Sequence, residues 1–535
     1  MKTMISSIIL ASCLALPLAS CSDSDVAPEQ KDWSTTTYFY SADAAMQDTY
    51  YKPTVGYVGD PMPFFDPVAG DFKVLYLQDF RPNPEGTYHP IWGVSTKDAA
   101  HYTSLGELVS CGTKKSQDAA IGTGSTIYDE ASKLYYTFYT GNKYLPTGDE
   151  SAQAVMVATS PDFKTWTKDR TFLLKGQDFG YDKNDFRDPF VFKGDDGKFH
   201  MLISTKKGGK GSLAEFVSDD LKNWTDNGVF MTMMWDRFYE CPDLFKMGDY
   251  WYLVYSEIHH AVRRVQYFKG RTLDELKACT ANDAGIWPDA HEGFLDSRGL
   301  YAGKTASDGT NRYLWGWCPT RSGKDNTAVG ASPAEPEWAG NLVCYKLIQH
   351  EDGTLTLGQI DAVSEKYNQD VAVEVKESQN MTEADGTYTL AGSVEQPDAY
   401  MLMGRLGSHN KISFTVTTSN EWDKFGISMV RGSDSKKYYT MVVNPENENN
   451  RKVNFEEQGV EGKGFIAGID GYVFARPADN VYNITIYTDN SICVMYINDV
   501  CSYTNRIYGI QKNCWSIDSF KGASVTVSNL KISQY

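Results

Sequence analysis

Five short stretches share one alternation of polar and apolar positions: a glycine or polar turn followed by an aromatic-rich, β-branched run. They are Gly70–Tyr76, Lys133–Tyr139, Gly197–Leu202, Gly248–Leu253 and Asn311–Trp315. Each has the composition of the second arm of a β-hairpin. Their first apolar residues, Phe72, Leu134, Phe199, Tyr250 and Tyr313, recur at roughly sixty-residue intervals, a period typical of stacked or radial units. A second signature keeps this spacing: Thr96-x-Asp98-x-x-x-Tyr102, Ser160-x-Asp162-x-x-x-Trp166 and Ser218-x-Asp220-x-x-x-Trp224. A long period rich in strand signals and poor in helix signals predicts four-stranded blades about an axis. Residues 46–358 therefore read as a five-bladed β-propeller.

Beyond about residue 365 the texture changes. Tryptophan and proline thin out, and alternating runs such as Lys411–Val416, Tyr438–Val443 and Ser491–Ile497 fall outside the blade period. Short strands separated by Asn, Gly and Asp turns predict a β-sandwich over residues 366–535, serving as a structural partner or a sugar-binding module. The fold class expected is all-β.

The first twenty residues combine an early lysine, an apolar run too short to span a bilayer comfortably, and small residues at the end. That is an export signal, not a transmembrane helix. Leu18-Ala19-Ser20-Cys21 resembles the lipobox of bacterial lipoproteins, which implies cleavage before Cys21 and diacylation of that residue. Residues 21–45, acidic and polar at their start, read as a flexible tether. The expected location is the cell envelope, lipid-anchored at the outer membrane on its periplasmic side or at the cell surface. No later window is apolar enough to span a bilayer, so the membrane is reached only through the anchor.

The net charge of −18, with basic residues scattered, argues against nucleic acid and anionic membrane surfaces and leaves a neutral carbohydrate as the compatible partner. Once Cys13 leaves with the signal and Cys21 is acylated, eight of the ten cysteines remain, without CxxC or metal-type spacing. No metal site and no cofactor are expected. The cysteines read mostly as buried small hydrophobes; a pairing of Cys493 with Cys501 across a hairpin stays open.

Three acids stand in matching contexts: Gly59-Asp60-Pro61, Arg187-Asp188-Pro189 and Glu240-Cys241-Pro242. Each precedes a proline directly or by one residue, and an apolar strand follows. Proline lacks an amide donor and belongs at the start or edge of a strand, which puts each acid at the mouth of a blade's first strand. The hairpin register assigns them to blades one, three and four, so they converge at the axis. Glycosidic cleavage needs one ionised and one protonated carboxyl group, and clustered acids split their pKa values.

Carried by these residues, the chain resembles glycoside hydrolase family 32, the invertase, inulinase and levanase group. Asn184–Pro189 looks like the family's Arg-Asp-Pro motif, and Tyr239–Asp243 like its Glu-Cys motif. Leu77-Gln78 followed by Pro82, Ile91–Ser95 with Trp92, Gly124-Ser125 and Trp338-Ala339-Gly340 match lesser elements, and Tyr487–Asp499 looks like its C-terminal sandwich. The resemblance implies a five-bladed propeller plus sandwich and a retaining hydrolase of β-fructofuranosidic bonds in fructans or fructo-oligosaccharides. It makes Asp60 the nucleophile, Glu240 the general acid then base, and Asp188 a transition-state stabiliser, with Gln78, Trp92, Ser125, Arg187 and Trp338 binding substrate. Retention implies nucleophile and acid carboxyls about 5 to 5.5 Å apart, and Arg187 beside Asp188 would favour its ionised form. One departure stands out. Where the family usually carries Asn-Asp-Pro-Asn-Gly, Asp60-Pro61 is flanked here by Gly59, Met62 and Pro63, so the fructose-binding amide is missing.

Two other readings remain open. Related five-bladed propellers use three acids on arabinose or xylose linkages, often with inversion, for which a carboxyl separation of about 6.5 to 9.5 Å would speak. A surface glycan-binding protein without catalysis is the second, supported by the altered nucleophile motif and opposed by the retention of all three acids. Linkage, endo or exo action and oligomeric state are not legible.

Overall fold

The computed structural model describes residues 49–80, 88–233, 238–257, 264–279, 292–326, 338–431, 438–445, 453–458 and 474–535. The expected signal peptide, the lipidation residue Cys21, the tether and Pro82 lie outside the described residues. Among the described residues no helix is long and apolar enough to cross a membrane.

Five antiparallel units of four strands follow one another along residues 57–358. Their second strands, Asp71–Asp79, Leu134–Asn142, Phe199–Lys207, Tyr250–Glu257 and Arg312–Pro319, coincide with the hairpin arms expected from the sequence. Their first strands are Tyr57–Asp66, Ala120–Asp129, Phe186–Lys193, Glu240–Met247 and Tyr301–Ser307. Each first strand packs against the next, and the fifth against the first, which closes the ring of a five-bladed propeller. Blades 1 and 5 also pair directly at Val58 and Gly340. The all-β propeller and sandwich expected from the sequence are both present.

The repeated turn signature has a local cause. Asp98 Oδ1 accepts from the amides of Ala100 and His101, Asp162 Oδ1 from Lys164 and Thr165, and Asp220 Oδ1 from Lys222 and Asn223. These carboxylates close the turn that joins the third strand of a blade to its fourth, as Asp does in Asx turns. The residues after them, Ala99, Phe163 and Leu221, take positive φ near 60°. The terminal aromatic then caps the turn: the Tyr102 hydroxyl donates to the Ala99 carbonyl at 2.9 Å.

The C-terminal unit is a sandwich of an eight-stranded and a six-stranded antiparallel sheet, as aligned or crossed sheets with one apolar face each must form. Trp515, Phe414, Ile427, Met441 and Ile484 fill its core. Cys493 faces Asn505, and Cys501 faces Ile497, across the hairpin strands. The two cysteines do not pair; all eight described cysteines are free, and seven are buried.

The two domains are joined by buried polar contacts. Arg506 of the sandwich donates to the carbonyls of Cys318 and Pro319 and to Asn341 Oδ1 of the propeller, at 2.6 to 2.9 Å, and is braced within the sandwich by Ser491 Oγ. Asp296 of blade 4 accepts from the Thr504 amide and from the hydroxyls of Ser502 and Thr504. A buried guanidinium with every contact made costs little to keep and much to orphan, so these contacts fix the sandwich against the end of blade 5.

Candidate active site

All five inner strands break register at the same level. The residues left out of pairing with the second strand are Asp60-Pro61, Thr123, Asp188-Pro189, Cys241-Pro242 and Ala302-Gly303. These are β-bulges, which unpair a residue and re-aim its side chain. In four of them the first bulge residue has positive φ: Asp60 32°, Asp188 58°, Cys241 51° and Ala302 51°. A non-glycine residue held there costs about 1–3 kcal/mol and persists only where its surroundings enforce it. Proline after the bulge residue fits because the break needs no ladder donor, and that is the physical content of the acid-proline pattern.

Two layers of side chains result. The residue before the bulge gives Arg187, Glu240 and Tyr301 in blades 3, 4 and 5. Arg187 Nη2 meets Glu240 Oε1 at 2.8 Å, and the Tyr301 hydroxyl donates to Glu240 Oε2. The bulge residue itself gives Asp60, Thr123, Asp188 and Cys241. Thr123 Oγ1 donates to Asp60 Oδ2 and Trp317 Nε1 to Asp60 Oδ1, both at 2.9 Å. The Cys241 amide donates to Asp188 Oδ2 at 2.9 Å.

The electrostatics follow from burial. Asp188 is 4% exposed. Burial raises its pKa to about 6, against the pull of Arg187 and the Cys241 amide and with the push of Glu240 and Asp60. Arg187 does favour the ionised form of Asp188, as its adjacency implies, but burial outweighs it; the guanidinium lies 3.9 Å from Asp188, 2.7 Å from Asp185 and 2.8 Å from Glu240. Burial works against the charge of Arg187, yet the Glu240 and Asp188 carboxylates outweigh it and hold the guanidinium protonated. Burial pushes the Cys241 thiol well above its ordinary value, so it stays neutral.

The other expected residues divide. Arg187 belongs to the acid ring and lies over the Phe238 ring at 3.8 Å. Trp338 stands against the strand that carries Asp60: a Cβ on Gly59 would come within 2.2 Å of its ring. At position 59 the indole occupies the space that a side chain would need, so glycine fits there; the replacements at Met62 and Pro63 have no structural explanation. Ser125 is buried, donating to the Pro189 carbonyl and accepting from the Val191 amide at 2.9 Å; its hydroxyl ties blade 2 to blade 3. Gln78, on the strand beside the one that carries Asp60, is fully buried and donates to the Val55 carbonyl. Trp92 lies on the third strand of blade 1, edge-on to Phe80 at 5.8 Å.

Tyr301, Thr123, Trp317 and Lys304 were not singled out by sequence reasoning. Tyr301 occupies in blade 5 the register position of Glu240, a signal visible only once the bulges are aligned. From Tyr301 a run of rings leads outward through Trp317 at 5.8 Å, Trp338 at 5.9 Å, His89 at 4.1 Å and Tyr88 at 4.6 Å. Tyr88, its outer end, is 40% exposed. Among the described residues no group of three or more His, Cys, Asp or Glu side chains could hold a metal ion.

Residues 50–360 match the model of the glycosyl hydrolases family 32 N-terminal domain, and residues 353–532 that of the GH32, BT1760-like, C-terminal domain. A β-fructofuranosidase, insoluble isoenzyme CWINV2, of Arabidopsis thaliana is 27% identical over 320 residues, 54% of this chain and 51% of that protein. A sucrose-6-phosphate hydrolase of Vibrio alginolyticus is 26% identical over 240 residues, 42% of this chain and 45% of its own length. The chain thus spans about half the length of the curated relatives it matches. Among solved structures, the exo-inulinase of Aspergillus awamori superposes with a TM-score of 0.68 at 16% identity, covering 93% of this chain and 99% of that one, a likeness of fold.

Proposed function

The chain belongs to the family 32 glycosyl hydrolases, and from that premise we propose that it is a retaining β-fructosidase acting on fructans. The observation that carries the reading is the ring at the propeller axis: Asp60 with both oxygens held by hydrogen-bond donors, Glu240 one blade from Asp188, and Arg187 between them.

Asp60 attacks the anomeric carbon of the fructosyl unit while Glu240 gives its proton to the departing glycosidic oxygen. The C–O bond of the substrate breaks as an ester bond to Asp60 forms. Glu240, now ionised, takes a proton from water, whose oxygen attacks the same carbon and releases Asp60 as carboxylate. Thr123 and Trp317 hold the nucleophile in place for both steps. Asp188, ionised above about pH 6, accepts hydrogen bonds from fructose hydroxyls that strengthen as positive charge develops on the ring.

A fructan is preferred over sucrose because the part-exposed Trp338 and His89 and the exposed Tyr88 extend outward from the buried Tyr301 and Trp317. Aromatic faces offer apolar area to sugar rings at low entropic cost, and these outer rings give a sugar chain longer than a disaccharide somewhere to rest. Gly59 and Trp338 act together here, the small residue making room for the large one.

Export and anchoring through Cys21 put this activity at the envelope, where a polymer too large to be imported is met first. The test is sugar release from levan, inulin, sucrose and arabinan by the purified mature chain, with Glu240→Gln as control. Fructose or fructo-oligosaccharide release, lowered about 10³-fold by the substitution, supports the reading. Release from arabinan alone, or binding without release, would sink it.

A further inference from the structure

Lys304 follows the blade 5 bulge and is buried, 2% exposed, beneath the acids. Its Nζ donates to the Gly124 carbonyl of blade 2 at 2.7 Å and lies 5.6 Å from the Phe190 ring centroid of blade 3. A single lysine thus spans from blade 5 to blades 2 and 3 across the axis.

Burying an ammonium group costs several kcal/mol unless nearby charge compensates it, and a methionine would fill the same space without that penalty. The groups acting on Lys304 are Cys241 and Asp243 of blade 4, Asp188 of blade 3 and Asp60 of blade 1. Cys241 is a neutral thiol. Asp243 is committed to the amide and hydroxyl of Thr305 at 2.7 and 2.6 Å, with Arg312 close by. Asp188 shares Arg187 with Glu240. Asp60 accepts from Thr123 and Trp317, and the ammonium group adds positive charge on its side of the site. What the carboxylates do for the lysine, the lysine does for them.

Its hydrogen bond adds a second route. Gly124 directly follows Thr123, whose hydroxyl donates to Asp60, so the lysine also pins the backbone that presents this donor.

We propose that Lys304 is a positioning residue for the nucleophile, acting by its charge on Asp60 and by its hold on Gly124 beside Thr123. This rests on the fructosidase reading. Burial acts to lower the lysine's own pKa while the acids act to raise it, in keeping with mutual stabilisation across the axis.

The experiment is the pH profile of kcat and of KM for the wild-type protein and for Lys304→Gln, Lys304→Met and Lys304→Arg on the fructan it cleaves. Glutamine keeps a donor for Gly124 and removes the charge. Its acid limb is expected to move up by about one pH unit and its kcat to fall about tenfold, with KM changed less than threefold. Methionine, lacking both, should lose more, and arginine should restore the acid limb. A folded Lys304→Gln with an unmoved acid limb and unchanged kcat would overturn the proposal. So would failure of both neutral variants to fold while Lys304→Arg folds, which would make the residue a support of the fold alone. A wild-type chain inactive on every fructan removes the fructosidase reading and this inference with it, a result distinct from an active enzyme with an unmoved limb.

Discussion

In blade 4 the inner strand breaks at Cys241-Pro242, and in blade 5 it breaks at the same level at Ala302-Gly303. Both bulge residues have φ 51°, and both are preceded by a side chain of the acid ring, Glu240 in one and Tyr301 in the other. Blade 4 adds an acid; blade 5 adds a hydroxyl that holds it, an indole from the next strand that holds Asp60, and the buried Lys304. The backbone device is therefore common to the ring, and the chemistry is divided among its copies: blades 1, 3 and 4 carry the acids, blades 3 and 4 also supply Arg187 and the Cys241 amide that hold Glu240 and Asp188, and blades 2 and 5, which carry no acid, supply only holding groups.

The division can be tested at its strongest point first. Trp317→Phe keeps the ring and removes the donor to Asp60. A hydrogen bond to a charged group is worth roughly 1.5–3 kcal/mol, so kcat of the folded variant should fall about 10- to 100-fold; because Trp317 is fully buried, the smaller ring also lowers the thermal unfolding temperature, and kcat is therefore read well below it. An unchanged kcat would show that blade 5 does not hold the nucleophile.

Asp188 sharpens the contrast from the acid side. Its folded pKa of about 6 lies above the ordinary 3.8, so the folded state binds the proton more tightly than the unfolded chain. Its contribution to stability is complete below about pH 4 and is lost as pH rises through 6, on the order of 2–3 kcal/mol in all. Asp188→Asn should therefore unfold at a higher temperature than the wild type at pH 7–8, with the gain vanishing near pH 4, as followed by calorimetry across pH. A gain that grew on acidification would reverse the sign and break the account.

The smallest effect belongs to the bulge that carries no acid. Ala302→Gly places a residue tolerant of positive φ where alanine is held at 51°. Denaturant unfolding should show about 0.5–1 kcal/mol of added stability, with kcat within twofold of wild type. Lost stability would mean that the bulge stores no strain at this position.

What was legible in the sequence was what lies within a strand or a turn. The second arms at Phe72 or Tyr250 show their alternation in a few residues, and Asp98, Asp162 and Asp220 mark their turns because each closes its own loop. Asp60, Asp188 and Glu240 were legible because proline marks the break beside them. Thr123 and Tyr301 sit at equivalent breaks without proline or acid, so nothing local distinguishes them. Trp317 and Lys304 reach the site from positions whose neighbours are set by ring closure. Ser125 was readable as part of a motif, but its hydroxyl serves the contact between blades 2 and 3, a use that only the packed ring reveals. The replacement at Gly59 looked like a loss until the indole of Trp338 was placed against it.

The grip of Arg506 on Cys318 and Pro319 bears on how this chain can be divided. Those two carbonyls immediately follow Trp317, so the sandwich is clasped to the residues next to the one that carries the indole toward Asp60. Cutting the chain between its domains, or grafting on a foreign tail, would take away the donors to these two carbonyls, beside a strand that carries the indole to Asp60. The two domains thus act as one structural unit, whose seam lies one residue from the indole that holds Asp60.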